Sequence, residues 1–344
     1  MTTVRRRRAA WTLLLLAGSA LTLALAPPLD AQQTHVLLVV GLSGEATYKD
    51  RFQGWATSVR EAAVTRLGVP EANVIWLAED PAAAPGKIKD RASVATVRAA
   101  VSEIARRASE TDRIVVVLIG HGTYSNGQAL FNLVGPDLTP TDLDLMLDEL
   151  APRRVAVINT ASASGDFVAP LSGPGRTVMT ATRSGREINE TWFARYFAEA
   201  LAKDDADTDK DGRISLLEAF QYARQETARY FTENQLLPTE HAVLEDDGDG
   251  EGTMEPGPTT KDGLLAGTFF LGGSAAEVAA QAAAAGDPVL QKLLQERAAL
   301  EEKIAALRSR KAEIVPAAYE SELETLLVDL ALKSREIREH GGDK

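Results

Sequence analysis

Arg113-Ile-Val-Val-Val-Leu-Ile119, running into Gly120-His121-Gly122, is the stretch on which the fold turns. Its residues are apolar and mostly β-branched, with no polar alternation, and glycine closes the run. A strand of that kind is covered on both faces and belongs in the middle of a parallel sheet. Shorter runs of the same character lie on either side: His35–Gly41, Asn73–Leu77, Arg154–Asn159, Arg176–Thr182 and Leu264–Leu271. Helical segments separate them. Arg51–Leu67 is stopped by Gly68-Val69-Pro70. Ser93–Ala108 carries Val94, Val97, Val101 and Ile104 on one stripe behind a serine N-cap, and Leu143–Leu150 forms a shorter helix. Strands alternating with helices imply right-handed crossovers and a mainly parallel sheet of ~6 strands with helices on both faces. Residues 32–273 therefore read as one α/β domain.

Ligands of open α/β sheets bind beyond the carboxyl ends of the strands. Two loops leave neighbouring strands there: His121-Gly122 and Thr160-Ala161-Ser162-Ala163-Ser164-Gly165. A histidine beside a small hydroxyl residue is the pairing that proton removal and acyl transfer need. The N–H groups of Gly122 and Ser162 are the candidate oxyanion donors.

These residues resemble the caspase/legumain-like (clan CD) cysteine peptidases, most closely over 113–166 and more broadly over residues 35–270. The likeness lies in the apolar strand entering His-Gly, the segment with Asp137-Leu138 and a short helix, and the strand entering Ala-x-x-Ser-Gly. The resemblance implies a caspase-like three-layer sandwich, with His121 as the catalytic histidine. Ser162 stands where the family carries its nucleophilic cysteine. It also implies that Arg51, which follows Tyr48 after the first strand, receives an acidic or amide side chain of a substrate; a surface arginine at a helix start is the plainer reading. A serine hydroxyl is a far weaker nucleophile than a thiolate without a tightly coupled base. No acidic partner for His121 announces itself beyond Asp142, Asp144 and Asp166, which are near only in sequence.

Asp207-Thr-Asp-Lys-Asp-Gly-Arg-Ile-Ser-Leu-Leu-Glu218 matches the twelve-residue EF-hand pattern. Asp207, Asp209 and Asp211 supply carboxylates, Gly212 the sharp turn, Arg213 a backbone carbonyl, Ser215 a direct or water-borne ligand, and Glu218 a bidentate carboxylate. The expected cofactor is Ca2+. Helix candidates flank the loop at Glu190–Ala202 and Ser215–Phe231. A second acidic run, Glu245-Asp-Asp-Gly-Asp-Gly-Glu251, has the composition of another metal loop. Pro256 or Pro258, however, falls where its closing glutamate belongs, so it reads first as a solvated loop and second as a cation site.

The two ends differ from this body. Arg5–Arg8 precede eighteen uncharged, mostly apolar residues, Ala9–Ala26, and Pro27-Pro28 break the run before Ala31. Residues 1–31 read as a signal peptide, with an uncleaved membrane anchor as the rival; both place the remainder outside the cytoplasm, periplasmic or secreted. Residues 274–344 are rich in Ala, Leu, Glu, Lys and Arg. Asp287-Pro288 opens one helix, Pro316 divides it from a second, and 3-4 stripes run through both. They form a helical hairpin or coiled-coil pair with scope for self-association.

The chain has 344 residues, 45% of them hydrophobic, and no cysteine. That excludes disulfides, thiolate metal sites and a cysteine nucleophile. Its formal charge is −12; losing residues 1–31 removes four Arg and one Asp and makes it −15. Such a surface does not bind nucleic acid through phosphate contacts. The combined reading is an exported, calcium-binding caspase/legumain-like peptidase homologue, catalytically impaired, that holds a peptide or protein ligand in the old groove. Two alternatives stand beside it: a serine-dependent hydrolase with a Ser162–His121 dyad, and an envelope scaffold assembling through its C-terminal helices.

Overall fold

The computed structural model describes residues 32–151, 153–257, 260–273, 278, 280, 284–309 and 314–342. The expected signal segment, 1–31, lies outside them. Among the described residues no helix is long and apolar enough to cross a membrane.

The Arg113–Ile119 strand (β4) is fully buried along its length and sits at the centre of the main sheet. Beside it lies β1 (Thr34–Val40), paired in parallel from Thr34↔Arg113 to Val40↔Ile119. Beyond β1 come β2 (Val74–Ala78) and the two-residue edge strand β3 (Asp90–Arg91). On the other side of β4 lie β7 (Arg154–Asn159), β8 (Arg176–Thr180) and β9 (Val243–Glu245), the last antiparallel to β8. The order is β3-β2-β1-β4-β7-β8-β9 among the described residues. A separate hairpin, β5 (Gly122–Ser125) with β6 (Gln128–Phe131), rises from the end of β4.

The two-residue period of the strands sorts their side chains into two cores. Val36, Leu38, Val115, Val117, Ala156 and Ile158 face α1 (Ala46–Glu61), α5 (Phe193–Ala202) and α6 (Leu216–Glu233). Leu37, Val39, Ile114, Val116, Val155 and Val157 face α2 (Val94–Arg107), α3 (Pro140–Leu147) and α4 (Val168–Leu171). The arrangement is a three-layer α/β sandwich. Phe193, Phe197 and Phe220 are almost wholly buried between α5, α6 and the sheet, each contributing about 1.5–3 kcal/mol by leaving water. Local signals agree with this packing. Ser93 caps α2 in a reciprocal box with Thr96, and Gly68, at φ +72, ends the wide turn Ala62–Arg66 that continues α1.

Three expectations need correcting. Leu264–Leu271 is not a strand of the sheet. Its backbone forms a short 3-10 turn at Ala266–Thr268, Phe269 accepts from the Leu216 N–H, and Phe269 and Leu271 fill the core from a loop. The remaining sheet position is taken by β9, whose Val-Leu-Glu carries no strand signature. Arg51 lies inside α1, which begins at Ala46, and not at the start of its helix. The run 245–251 is not wholly solvated, since Glu245 is fully buried and Asp246 nearly so.

Toward the C-terminus, α7 (Pro288–Ser309) and α8 (Pro316–Gly342) fold back on each other. Asp287 Oδ1 accepts from the Leu290 N–H as the N-cap of α7, and Asp287 also meets His340 near the end of α8 at 2.9 Å. Lys333 bridges to Glu296 at 2.7 Å. An antiparallel hairpin puts each start beside the other's finish.

Candidate functional site

The loops leaving β1, β4 and β7 meet at their carboxyl ends, and glycines allow the closeness. A Cβ on Gly122 would lie 2.0 Å from the Ser162 carbonyl oxygen, and one on Gly41 would lie 2.4 Å from that of Asn132. Gly122→Ala must therefore push the β4 and β7 loops apart. We expect it to cost about 1–3 kcal/mol or more, read as a lowered urea midpoint; an unchanged midpoint would show that the loops yield freely.

Ser162 is 4% exposed and wholly occupied with Gly122. Its Oγ donates to the Gly122 carbonyl at 3.0 Å and accepts from the Gly122 N–H at 3.0 Å. The next residue, Ala163, sits in the left-handed region at φ +57 and gives its N–H to the Glu187 carbonyl. The Gly165 N–H goes to Thr182 Oγ1. Three amide groups around the serine are thus committed within the protein. The Gly122 N–H, expected as an oxyanion donor, is bound to the very hydroxyl it was to assist.

His121 turns elsewhere. Its ring lies edge-on to Tyr48, with centroids 4.5 Å apart, and to Phe52 at 5.0 Å. Burial lowers its pKa, opposed by a hydrogen bond with the Ser43 backbone and by the charges of Glu190 and Glu45. No hydrogen bond joins His121 and Ser162 among the described residues. The three acids close in sequence do not reach it either. Asp142 serves Thr139 at the start of α3, Asp144 pairs with Arg176, and Asp166 accepts from the Gly185 N–H at 2.7 Å.

Arg51 is brought close to the histidine. Its guanidinium lies 5.8 Å from the centroid of Tyr48, the same ring that touches His121, and 5.0 Å from that of Trp192. It is ion-paired with Glu190. A half-exposed cluster of Tyr48, Arg51, His121, Glu190 and Trp192 therefore stands beside the serine loop, with cation, carboxylate and aromatic faces together. Glu190 and Trp192 carry no motif in the sequence, and the helix expected from Glu190 begins only at Phe193, which leaves both in the irregular segment ahead of α5.

The acidic loop 207–218 joins α5 to α6. Asp207, Asp209 and Asp211 each offer an oxygen within 4.8 Å of the others. Asp207 Oδ2 accepts from the Gly212 N–H at 3.0 Å, while its Oδ1 is buried without a hydrogen bond. Gly212 takes φ +81, as the turn demands. Burial first, and then the neighbouring carboxylates, push Asp209 and Asp211 up from the usual range. Glu218 is used differently. Its Oε2 accepts from Ser215 N–H and Oγ–H in the capping box of α6, and its Oε1 accepts from Thr208. Arg213 stacks over Phe270, 4.0 Å from the ring centroid.

No family model matches the chain, and no curated protein matches it. Among solved structures, the protein GSU0716 from Geobacter sulfurreducens is 11% identical, covering 62% of this chain and 92% of its own, at a TM-score of 0.39. The Drosophila initiator caspase Dronc is 9% identical, covering 73% of this chain and 94% of its own, also at 0.39. Scores of that size leave the fold to be described by its own strand order.

Proposed function

We propose that this chain is an exported caspase-like α/β domain that binds a peptide or protein ligand and does not hydrolyse it. The observation that carries this reading is the double hydrogen bond between Ser162 Oγ and the backbone of Gly122. A serine held in that way donates its proton to a carbonyl and not to a base, and His121 is engaged with Ser43 and two aromatic rings. Hydrolysis also needs free amide donors for the oxyanion, and three around the serine, that of Gly122 among them, are already bound within the protein. The cluster of Arg51, Glu190, Trp192 and Tyr48 offers what recognition needs: opposite charges for side-chain ends and flat apolar faces for their stems.

We assign Ca2+ to the loop 207–218, as a staple between α5 and α6. Support comes from the unpartnered, buried Asp207 Oδ1 and from carboxylates whose mutual repulsion a hard cation would relieve. The residues that hold it are Asp207, Asp209 and Asp211, with the Arg213 carbonyl, Ser215 and Glu218 completing the loop after Glu218 releases part of its capping role.

The test is turnover of a fluorogenic peptide library by the purified chain and by Ser162→Ala. Neither is expected to cleave. The variant is expected to lose about 1–3 kcal/mol of stability, since it strands a half-buried N–H and C=O at Gly122. Cleavage by the wild-type chain that the variant abolishes would establish the serine hydrolase instead.

A further inference from the structure

A second group of carboxylates gathers around β9, at the opposite end of α6 in the sequence from the loop 207–218. Glu245, Asp247 and Asp262 each present an oxygen, and the three lie within 4.8 Å of one another. That span is twice a calcium–oxygen bond of about 2.4 Å, so one ion reaches all three. The chain's local pattern explains how they meet. Glu245 and Asp247 are two residues apart at the end of a strand, and so share a side; Asp246, between them, points away. Asp246 then organises the other half of the site. Its Oδ1 accepts from the Gly263 N–H at 2.8 Å and its Oδ2 from the Ala266 N–H at 2.7 Å. Its own N–H donates to Asp262 Oδ1 at 3.0 Å. The segment that carries Asp262 is thereby pinned against the acidic run.

The burial is what demands an ion. Glu245 is 0% exposed and Asp262 1%. Glu245 Oε1 accepts from the Gly248 N–H at 2.6 Å and from Ser172 Oγ at 2.8 Å, whereas its Oε2 is buried with no hydrogen bond. Among the described residues no lysine or arginine is paired with Glu245, Asp247 or Asp262; the nearby Lys261 is taken by Asp249. Two buried carboxylates and a third beside them, one with a bare oxygen, carry charge at neutral pH at a low cost only with a compensating cation. Oxygen-only donors select a hard one.

We propose that Glu245, Asp247 and Asp262 form a second calcium-type cation site, separate from the loop 207–218 and closed by Asp262 and not by a residue of the acidic run. It ties β9, the last strand of the sheet, to the segment leading back into the core at Phe269.

Calorimetric titration of the chelator-treated full chain with CaCl2 counts the sites. Wild type is expected to take two ions. Asp209→Asn, which alters only the exposed first loop, is expected to take one, and Asp262→Asn the other one. Asp262→Asn or Glu245→Gln chains that still take two ions would overturn the assignment, as would Asp209→Asn binding none. Should Asp262→Asn fail to fold, hydrogen exchange on the Asp209→Asn chain decides. Calcium is expected to slow amide exchange across residues 245–263 by about tenfold or more, and unchanged exchange there would overturn the proposal.

Discussion

Chelating calcium from the full chain is expected to lower its melting temperature by about 5–10 °C for each cation site that had been held at a hundredfold excess over its Kd. The figure follows from mass action, about 2.7 kcal/mol per site at that excess, and from the few degrees per kcal/mol that a domain of this size shows. The physical origin is repulsion released on chelation. In the loop 207–218 the buried Asp207 Oδ1 loses its only prospective partner, and Asp209 and Asp211 face each other and Glu218. Around β9 the same occurs with Glu245 and Asp262, and the cost is larger because both are buried. Asp209→Asn should remove the first loop's share, the smaller part of the chelator's effect, and magnesium should restore little of it, because Mg2+ dehydrates reluctantly. A melting temperature that ignores chelator at all calcium concentrations would remove the staple role from both.

The second large effect belongs to Glu240, a residue with no sequence motif. Its two oxygens accept from the N–H groups of Trp192 and Phe193, the start of α5, at 2.7 and 2.8 Å. Burial dominates those bonds and pushes its pKa up to about 8. The unfolded chain releases this proton near 4.5, so between pH 4.5 and 8 the folded chain holds one proton more. Stability contributed by this group is therefore complete below pH 4.5, falls as pH rises through that window, and levels off above 8. The slope approaches 1.4 kcal/mol per pH unit at most. Urea melts from pH 5 to 9 in saturating calcium should show that decline in the wild-type chain. Glu240→Gln should flatten it while costing about 1–3 kcal/mol for one mismatched helix N–H. Parallel slopes for the two chains would contradict the assignment.

The central strands were legible in the sequence because nothing else makes Arg113–Ile119 or Arg154–Asn159 so apolar for so few residues; Arg154–Asn159 matches its strand at both ends. The Ser93 cap was legible for the same local reason. The hairpin after His121 has its own local signal: Asn126-Gly127, both at positive φ, is the turn pair that two short strands need. β9 had no signal at all, since a three-residue strand running into three consecutive acids, Glu245 to Asp247, looks like a loop until the sheet is there to pair it. The site divides in the same way. His121, Ser162 and the Asp207–Glu218 spacing stand within single loops and can be read along the chain. The commitment of Ser162 to Gly122, the pairing of Arg51 with Glu190, and the approach of Asp262 to Glu245 join segments 40, 139 and 17 positions apart. No local pattern encodes those meetings.

The edges of the sheet have a bearing on how this chain meets others. At one side β3 is only Asp90-Arg91, a charged pair. At the other, the outer face of β9 is already used, with Leu244 and Thr253 exchanging both backbone hydrogen bonds at 2.9 and 2.8 Å. Neither side presents the row of free amides and carbonyls on which a foreign strand could grow. Among the described residues, the edges of the main sheet therefore give polymerisation by strand addition no starting row. Copies that gather would do so through side chains, and exposed apolar ones include Leu237, Ile188 and Val315 as well as Leu327, Val328 and Leu332 on α8.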